Sequence, residues 1–263
     1  MEHALLPVAG FLIGIVAAMT GVGGGIFIVP LLTIAYGFIP QHAVGTSLGS
    51  IIFTALAATY SYARQKRIFY RLGLLMAVAT VPGAYLGAYM TTIASPRLLG
   101  LIFGVFLFFM ALRMIFNDLG QPAETAAASL SRPLKSDADY IGSFLTLVWV
   151  FGLGFLAGFA SGFLGIGGGV LAVPVMNFSL HMPIHYATAT SMFMMIFTSL
   201  SGAAKHTLAH HLNWGYAFLL ALGTIFGAQV GAGISRKVSG PTLRRIFGVV
   251  MLVVSVQMVL KFL

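Results

Sequence analysis

The sequence has no cysteine and only five acidic residues in 263 positions. The first absence excludes disulfides, thiolate chemistry and cysteine-ligated metals. The second is positional as well as numerical: Glu2 stands near the start, and Asp118, Glu124, Asp137 and Asp139 share one polar segment. No carboxylate falls within an apolar stretch. Carboxylates build proton relays and many cation sites inside membranes, so a cation antiporter or a carboxylate-gated proton pump is not expected. Charge of either sign is scarce too, at 7% of residues against roughly 25% in soluble domains. A soluble enzyme or a nucleic-acid binder of this size could not coat itself with so few charges.

What is present is apolar: 59% of residues are hydrophobic and the mean hydropathy is +1.00. These residues fall into stretches of about 18 to 25, the length of a helix crossing a hydrocarbon core about 30 Å thick. The composition therefore predicts an all-α polytopic membrane protein whose partner is the lipid bilayer. The net charge of +9 sits in short loops, which fits the Lys/Arg bias of cytoplasmic loops and not a nucleic-acid face. The N-terminal run Ala4 to Met19 has no Lys or Arg before it, which makes it a poor signal peptide and a retained part of the fold.

The chain reads as one unit written twice. Gly10 to Leu32 (GFLIGIVAAMTGVGGGIFIVPLL) matches Gly154 to Met176 (GFLAGFASGFLGIGGGVLAVPVM) at a shift of 144 positions. The same ungapped shift pairs Ala43, Thr46 and Ser47 with Ala187, Thr190 and Ser191, and Ile102 with Ile246. Of the 106 positions from 10 to 115, 31 are identical to their counterparts. Such a register predicts two homologous four-segment repeats. We read residues 1–117 as the first transmembrane repeat, 118–140 as a polar cytoplasmic linker and 141–263 as the second repeat. Each half opens with a Gly-rich apolar stretch (about 4–36 and 141–176) and continues with three spans. These run near 43–63, 70–92 and 97–117, then 187–204, 214–234 and 243–262.

The basic residues suggest that the halves are inverted. Arg64, Lys66, Arg67 and Arg71 cluster between the second and third segments of the first half, but Arg236, Lys237, Arg244 and Arg245 cluster one loop later in the second. Placing both clusters in the cytoplasm requires opposite orientations and leaves only Arg97, Lys205 and Lys261 outside. A Gly-rich stretch of 33 or more residues exceeds the ~20 an upright helix needs. Each is therefore expected to be a Gly-broken helix or re-entrant hairpin, with both termini outside and the linker inside.

The doubled element GxGGGxxxVP (Gly21 to Pro30, Gly165 to Pro174) is the most specific signal. Glycine admits strained backbone and close approach, and proline cannot continue a helix ladder. Irregular backbone survives in a membrane only where protein or a cavity satisfies it, and matching breaks in two halves point to a transporter's midplane site. Gly23, Gly24, Gly25, Gly167, Gly168 and Gly169 are the candidate substrate-binding glycines, with Pro30 and Pro174 as helix breaks. Helices starting there aim N–H groups and a positive dipole end at an anion. The competing reading is close helix packing by small residues. No Lys-Ser/Thr follows the glycines, so the element is not a nucleotide loop.

Thr46, Ser47, Thr190 and Ser191 stand near the start of the next span in each half, where their hydroxyls are candidate donors to a substrate oxygen. A helix cap or a bond back to a local carbonyl is the alternative. Asn177, Gln229 and Gln257 are lone polar residues suited to interhelical hydrogen bonds, and Arg113 and Lys205 near span ends are suited to snorkelling. HMPIH (His181, His185) and HTLAHH (His206, His210, His211) resemble the histidine boxes of membrane di-iron oxygenases. The span between them puts the two groups at opposite faces, Pro183 disrupts the first, and no carboxylate accompanies either. No metal, cofactor or catalytic residue is therefore expected, although a His-loop metal-dependent membrane enzyme stands as the competing class.

With these motifs placed, the doubled GxGGGxxxVPxL followed by A-x-x-T-S resembles the TauE/SafE sulfite exporter family over nearly the whole chain outside the linker. The resemblance implies a permease of the cytoplasmic membrane that exports sulfite, sulfoacetate or related sulfur-containing anions. It carries onto Gly21, Gly23 to Gly25, Pro30, Thr46 and Ser47, and onto Gly165, Gly167 to Gly169, Pro174, Thr190 and Ser191. Sulfate, thiosulfate or a carboxylate stays open as the cargo, as do direction, coupling and oligomeric state.

Overall fold

A computed structural model describes residues 5–116, 144–180, 182–235 and 252–263. The linker 118–140, the Arg236–Arg245 cluster, His181 and the Arg113 side chain lie outside the described residues. Every regular element among those described is helical. In chain order they are α1 (Leu5–Thr20), α2 (Gly25–Pro30), α3 (Pro40–Arg64), α4 (Tyr70–Ile93), α5 (Pro96–Phe116), α6 (Phe144–Leu164), α7 (Gly169–Pro174), α8 (Ile184–Leu208), α9 (Trp214–Ile234) and α10 (Leu252–Phe262). A single π turn extends α2 over Leu31–Ala35 and α7 over Val175–Ser179. Of these, α3, α4, α8 and α9 are long and apolar enough to cross a membrane.

Local chemistry sets the boundaries. Pro40 occupies the first turn of α3, where its missing N–H costs nothing, and Pro183 stands at the cap of α8. The Asn213 side chain caps α9 by accepting from the Tyr216 N–H. Asn177 does not bond between helices as its isolation suggested: its amide donates to the Met182 carbonyl five residues on and closes the loop after the π turn. Gln229 and Gln257 lie exposed on helix surfaces and not in a helix interface.

Small residues decide which helices meet. Gly10 and Gly14 of α1 lie against the backbone of α9 from Leu220 to Ala228, and Gly223, Gly227 and Gly231 of α9 lie against Pro7, Phe11 and Ile15. The order ascends on both helices, so α1 and α9 are parallel. In the same way Gly83 and Gly87 of α4 meet Phe155 and Phe159 of α6, while Gly158 and Gly162 meet Thr80 and Ala84. Close approach of small residues is how helices gain van der Waals contact in lipid, where no hydrophobic force joins them. The first helix of each Gly-rich stretch thus packs on a span of the other half.

Directions follow from further contacts. Gly45 and Leu48 of α3 meet His206 and Gly202 of α8 in descending order, so these two central helices are antiparallel. Thr54 and Thr224 bond at 2.8 Å and Gly49 faces Ala217, which makes α9 parallel to α3. Since α1, α3 and α9 share one direction, the chain between α1 and α3 must turn back. Gly21 to Gly24 make that turn, and α2 with its π turn is the returning arm. The 11 residues of that arm span about 16 Å and α1 about 24 Å, so the hairpin has unequal arms.

The charged ends agree with these directions. Arg64, Lys66, Arg67 and Arg71 gather where α3 ends and α4 begins. At the opposite end, Gln41 of α3 donates to the Ala94 carbonyl beyond α4, and Arg97 bonds the carbonyls of Phe262 and Leu263. Lys205 there stacks its ammonium 4.9 Å from the centre of the Tyr89 ring and 5.8 Å from that of Tyr85.

Candidate functional site

The two glycine elements meet in the middle of the molecule. Gly21, Gly23 and Gly24 have φ of +75°, +84° and +89°, and Gly165, Gly167 and Gly168 have +71°, +79° and +89°. These are left-handed conformations that cost a side-chain-bearing residue about 1–2 kcal/mol. A Cβ on Gly25 would collide with the Gly165 carbonyl, and one on Gly169 with the Gly21 carbonyl. The backbones cross with no space for a methyl group, so the packing role of these glycines is real. It coexists with open donor capacity. The first bonds of α2 run from Phe27 and Ile28 to Gly24, and those of α7 from Leu171 and Ala172 to Gly168. The N–H groups of Gly25, Ile26, Gly169 and Val170 therefore precede the helix ladder.

Thr46, Ser47, Thr190 and Ser191 are all fully buried. Ser47 donates to the Gly165 carbonyl at 2.9 Å, and Ser191 donates to the Gly21 carbonyl at 2.9 Å. Ser191 also lies 2.9 Å from the Thr188 carbonyl, so its single proton is shared between two acceptors. Thr46 accepts from the Asn213 N–H and Thr190 from the Phe69 N–H, each at 3.1 Å. In this conformation the Ser47 proton is engaged on backbone of the opposite half, and the Ser191 proton is shared between such a carbonyl and a local one on its own helix. The Ser47–Gly165 and Ser191–Gly21 bonds are twins at the shift of 144, as are the bonds to Thr46 and Thr190; the Ser191–Thr188 contact has no counterpart.

Between the two turns sit Ile51 and Met195, themselves 144 apart. Met195 Cε fills the position a Cβ would need at both Gly23 and Gly167, and Ile51 Cγ2 lies 3.4 and 3.1 Å from those same points. Met195 stands 11 residues into a 25-residue helix, about 16 Å from its start, which puts this crossing near mid-depth.

Some polar residues here escaped the sequence reading. The Thr80 and Thr198 hydroxyls pair at 2.7 Å, as Thr54 and Thr224 do. The buried Ser161 hydroxyl has no hydrogen-bond partner among the described residues and lies 3.7 Å from where a Cβ on Gly168 would stand. The repeat register could have flagged the four threonines, since Thr54 matches Thr198 and Thr80 matches Thr224, but not Ser161, whose counterpart is Ala17; lone Thr and Ser in apolar helices usually bond back to their own turn.

His185 and His206 occupy opposite ends of α8, as the spacing implied. Among the described residues no group of three His, Cys, Asp or Glu is arranged to hold a metal ion.

Long apolar helices, an irregular glycine crossing at mid-depth and a core that, among the described residues, holds no carboxylate define a multi-pass membrane transporter. The comparisons agree: the model of the sulfite exporter TauE/SafE family matches residues 6–258. The chain belongs to that family. The probable membrane transporter protein YunE of Bacillus subtilis is 35% identical over 268 residues, covering 98% of each chain. A probable membrane transporter of Xylella fastidiosa is 29% identical, covering 95% of this chain and 92% of its own. One from Methanocaldococcus jannaschii is 26% identical, covering 91% and 89%. No solved structure matches.

Proposed function

We propose that the chain exports small sulfur-containing anions, such as sulfite or sulfonates, through a site between the two glycine elements. Gly23 to Gly25 and Gly167 to Gly169 supply backbone N–H groups. Thr46, Ser47, Thr190 and Ser191 supply hydroxyls once the halves separate and their present acceptors withdraw. The observation that carries this reading is the reciprocal Ser47–Gly165 and Ser191–Gly21 bonding in a core without acidic residues. An anion replacing those carbonyls would receive the same donors.

The chain is, on this reading, a duplication whose halves lie inverted, each Gly-rich hairpin being re-entrant. The antiparallel run of α3 and α8, which correspond under the 144-residue shift, supports inversion, because only a two-fold axis across the helices relates them. Rocking of one half on the other would alternate access, with Ile51 and Met195 closing the path in the present conformation. An interior-negative potential favours exit of each negative charge by about 2.3 kcal/mol per 100 mV, so export needs no coupling ion.

The test is thermal unfolding of detergent-purified protein with sulfite, thiosulfate, sulfate, sulfoacetate, taurine and acetate, followed by flux in proteoliposomes. A ligand of the folded state raises Tm with saturation. A selective rise with sulfite or a sulfonate is expected. A selective rise with acetate or sulfate alone would assign another anion, and equal flux in Gly168→Ala and wild type would move the site elsewhere.

A further inference from the structure

At the end of the molecule away from Arg67, three imidazoles converge from sequence-distant segments. His42 lies in the first turn of α3, His206 in the last turn of α8, and His211 in the loop between α8 and α9. The His42 and His211 ring centroids are 5.2 Å apart and those of His206 and His211 are 6.1 Å apart. His206 is wholly buried, with the Gly162 carbonyl as the one backbone acceptor facing its ring, and His211 Nδ1 is buried without a hydrogen-bond partner among the described residues. An imidazole always carries at least one N–H, and burying it unbonded costs free energy that a bound acceptor would return.

The opposite end holds the same backbone with different chemistry. Tyr62, Arg67 and Tyr186 are the residues 144 positions from His206, His211 and His42. Lys66 and His210 both have positive φ, at +54° and +56°, and the following N–H bonds back to Tyr62 and His206 respectively. There the polar atoms are used: Tyr62 donates to the Ala18 carbonyl, and Arg67 bonds Gln65, Ser235 and the His185 carbonyl while stacking on Tyr62. The histidine corner is the version of this loop in which His211 Nδ1 and a His206 ring nitrogen are left unspent.

We propose that His42, His206 and His211 form a proton-dependent binding site for a small oxyanion at this end of the transport path. Among the described residues, the charged and titratable groups around it are basic. His42 faces it from α3, Lys205 from α8, and His210 from the loop. Burial, and then the neighbouring His42 and His210, hold His211 below the usual histidine range, which favours its neutral ring. An oxyanion seated among the rings reverses that balance by favouring the charged imidazole, so anion and proton enter together. Gly45 is part of the construction: a Cβ there would lie 2.9 Å from the His211 carbonyl and 3.0 Å from His206 Cβ. The anion class rests on the proposed function, but the site is separate from the glycine crossing.

The experiment is thermal unfolding of the full-length protein in detergent with sulfate and with sulfite, and with acetate for comparison, at about pH 5.5 and about pH 8. Wild type is expected to gain stability from both sulfur anions at the lower pH, with apparent affinity falling about tenfold per pH unit above the imidazole range. His211→Gln and His42→Gln, both at partly exposed positions, should lose that pH-dependent stabilisation while Gly168→Ala keeps it. His206→Gln should do the same where it folds. Anion stabilisation undiminished in His211→Gln and His42→Gln overturns the proposal. So does stabilisation by zinc at about pH 8 that these variants abolish, which would make the corner a metal site. Failure of the sulfur-anion reading looks different: acetate stabilises the protein as well as sulfite does, yet the pH-dependent response still requires the histidines.

Discussion

Ser47 and Gly165, 118 positions apart, are joined by a 2.9 Å hydrogen bond from hydroxyl to carbonyl, and Ser191 repeats that bond to Gly21. The two bonds cross between the glycine turns and hold each half's irregular backbone with a side chain from the other. An unbonded carbonyl in a dry interior is costly, so the ties explain how three left-handed glycines per turn persist there.

Removing a tie should therefore cost stability first. Ser47→Ala or Ser191→Ala is expected to lower unfolding free energy by about 1 kcal/mol, in line with interhelical bonds in membrane proteins. The double variant should depart from additivity, because both ties clamp one crossing. Denaturant unfolding in detergent measures this, and unchanged stability in both single variants would show that the ties carry no load.

Alanine should separate the two roles of glycine. At Gly25 a Cβ meets the Gly165 carbonyl and the Ile166 backbone, so Gly25→Ala is expected to yield no folded protein. At Gly168 the nearest atoms lie 3.4 Å away, leaving only the positive-φ strain of about 1–2 kcal/mol. Gly168→Ala should elute as a monodisperse peak on size exclusion with reduced anion flux. Comparable folding of both variants would argue against the tight crossing.

Orientation can be read with single cysteines, because the chain has none of its own. Lys66→Cys and His210→Cys sit at the same turn of corresponding loops. With inverted halves, an impermeant thiol reagent should label His210→Cys in intact cells and Lys66→Cys only after permeabilisation. Labelling of both from one side rejects inversion.

The pair at the centre predicts a leak. Met195→Ala removes the side chain lying over both Gly23 and Gly167, and a Met-to-Ala change in a core costs about 2–5 kcal/mol. We expect a folded but less stable protein with faster passive anion efflux from proteoliposomes. Ile51→Ala should show a smaller effect of the same sign, since Ile51 lies beside the turns and not over them. Efflux slower than wild type in both would mean that these side chains do not close the path.

Much was legible before any coordinates. Membrane residence followed from composition, and the glycine turns from a motif too strained for other residues. The hydroxyls were legible as important but not as ties: a serine beside a helix start offers a proton, and nothing local says which carbonyl takes it. Asn177 shows the same limit, with its partner five residues away and not on another helix.

The sequence alone determined what is covalent or compositional: apolar segments long enough for a bilayer, φ-permissive glycines at matched places, and no carboxylate within an apolar stretch. The tertiary structure decided the partnerships. That α1 lies on α9 and α6 on α4, that each glycine turn is held by the other half's serine, and that His42 meets His211 all depend on how small faces fit. Helical periodicity marks a face as small or apolar but cannot say which of several equally small faces will meet it; only close packing in three dimensions chooses.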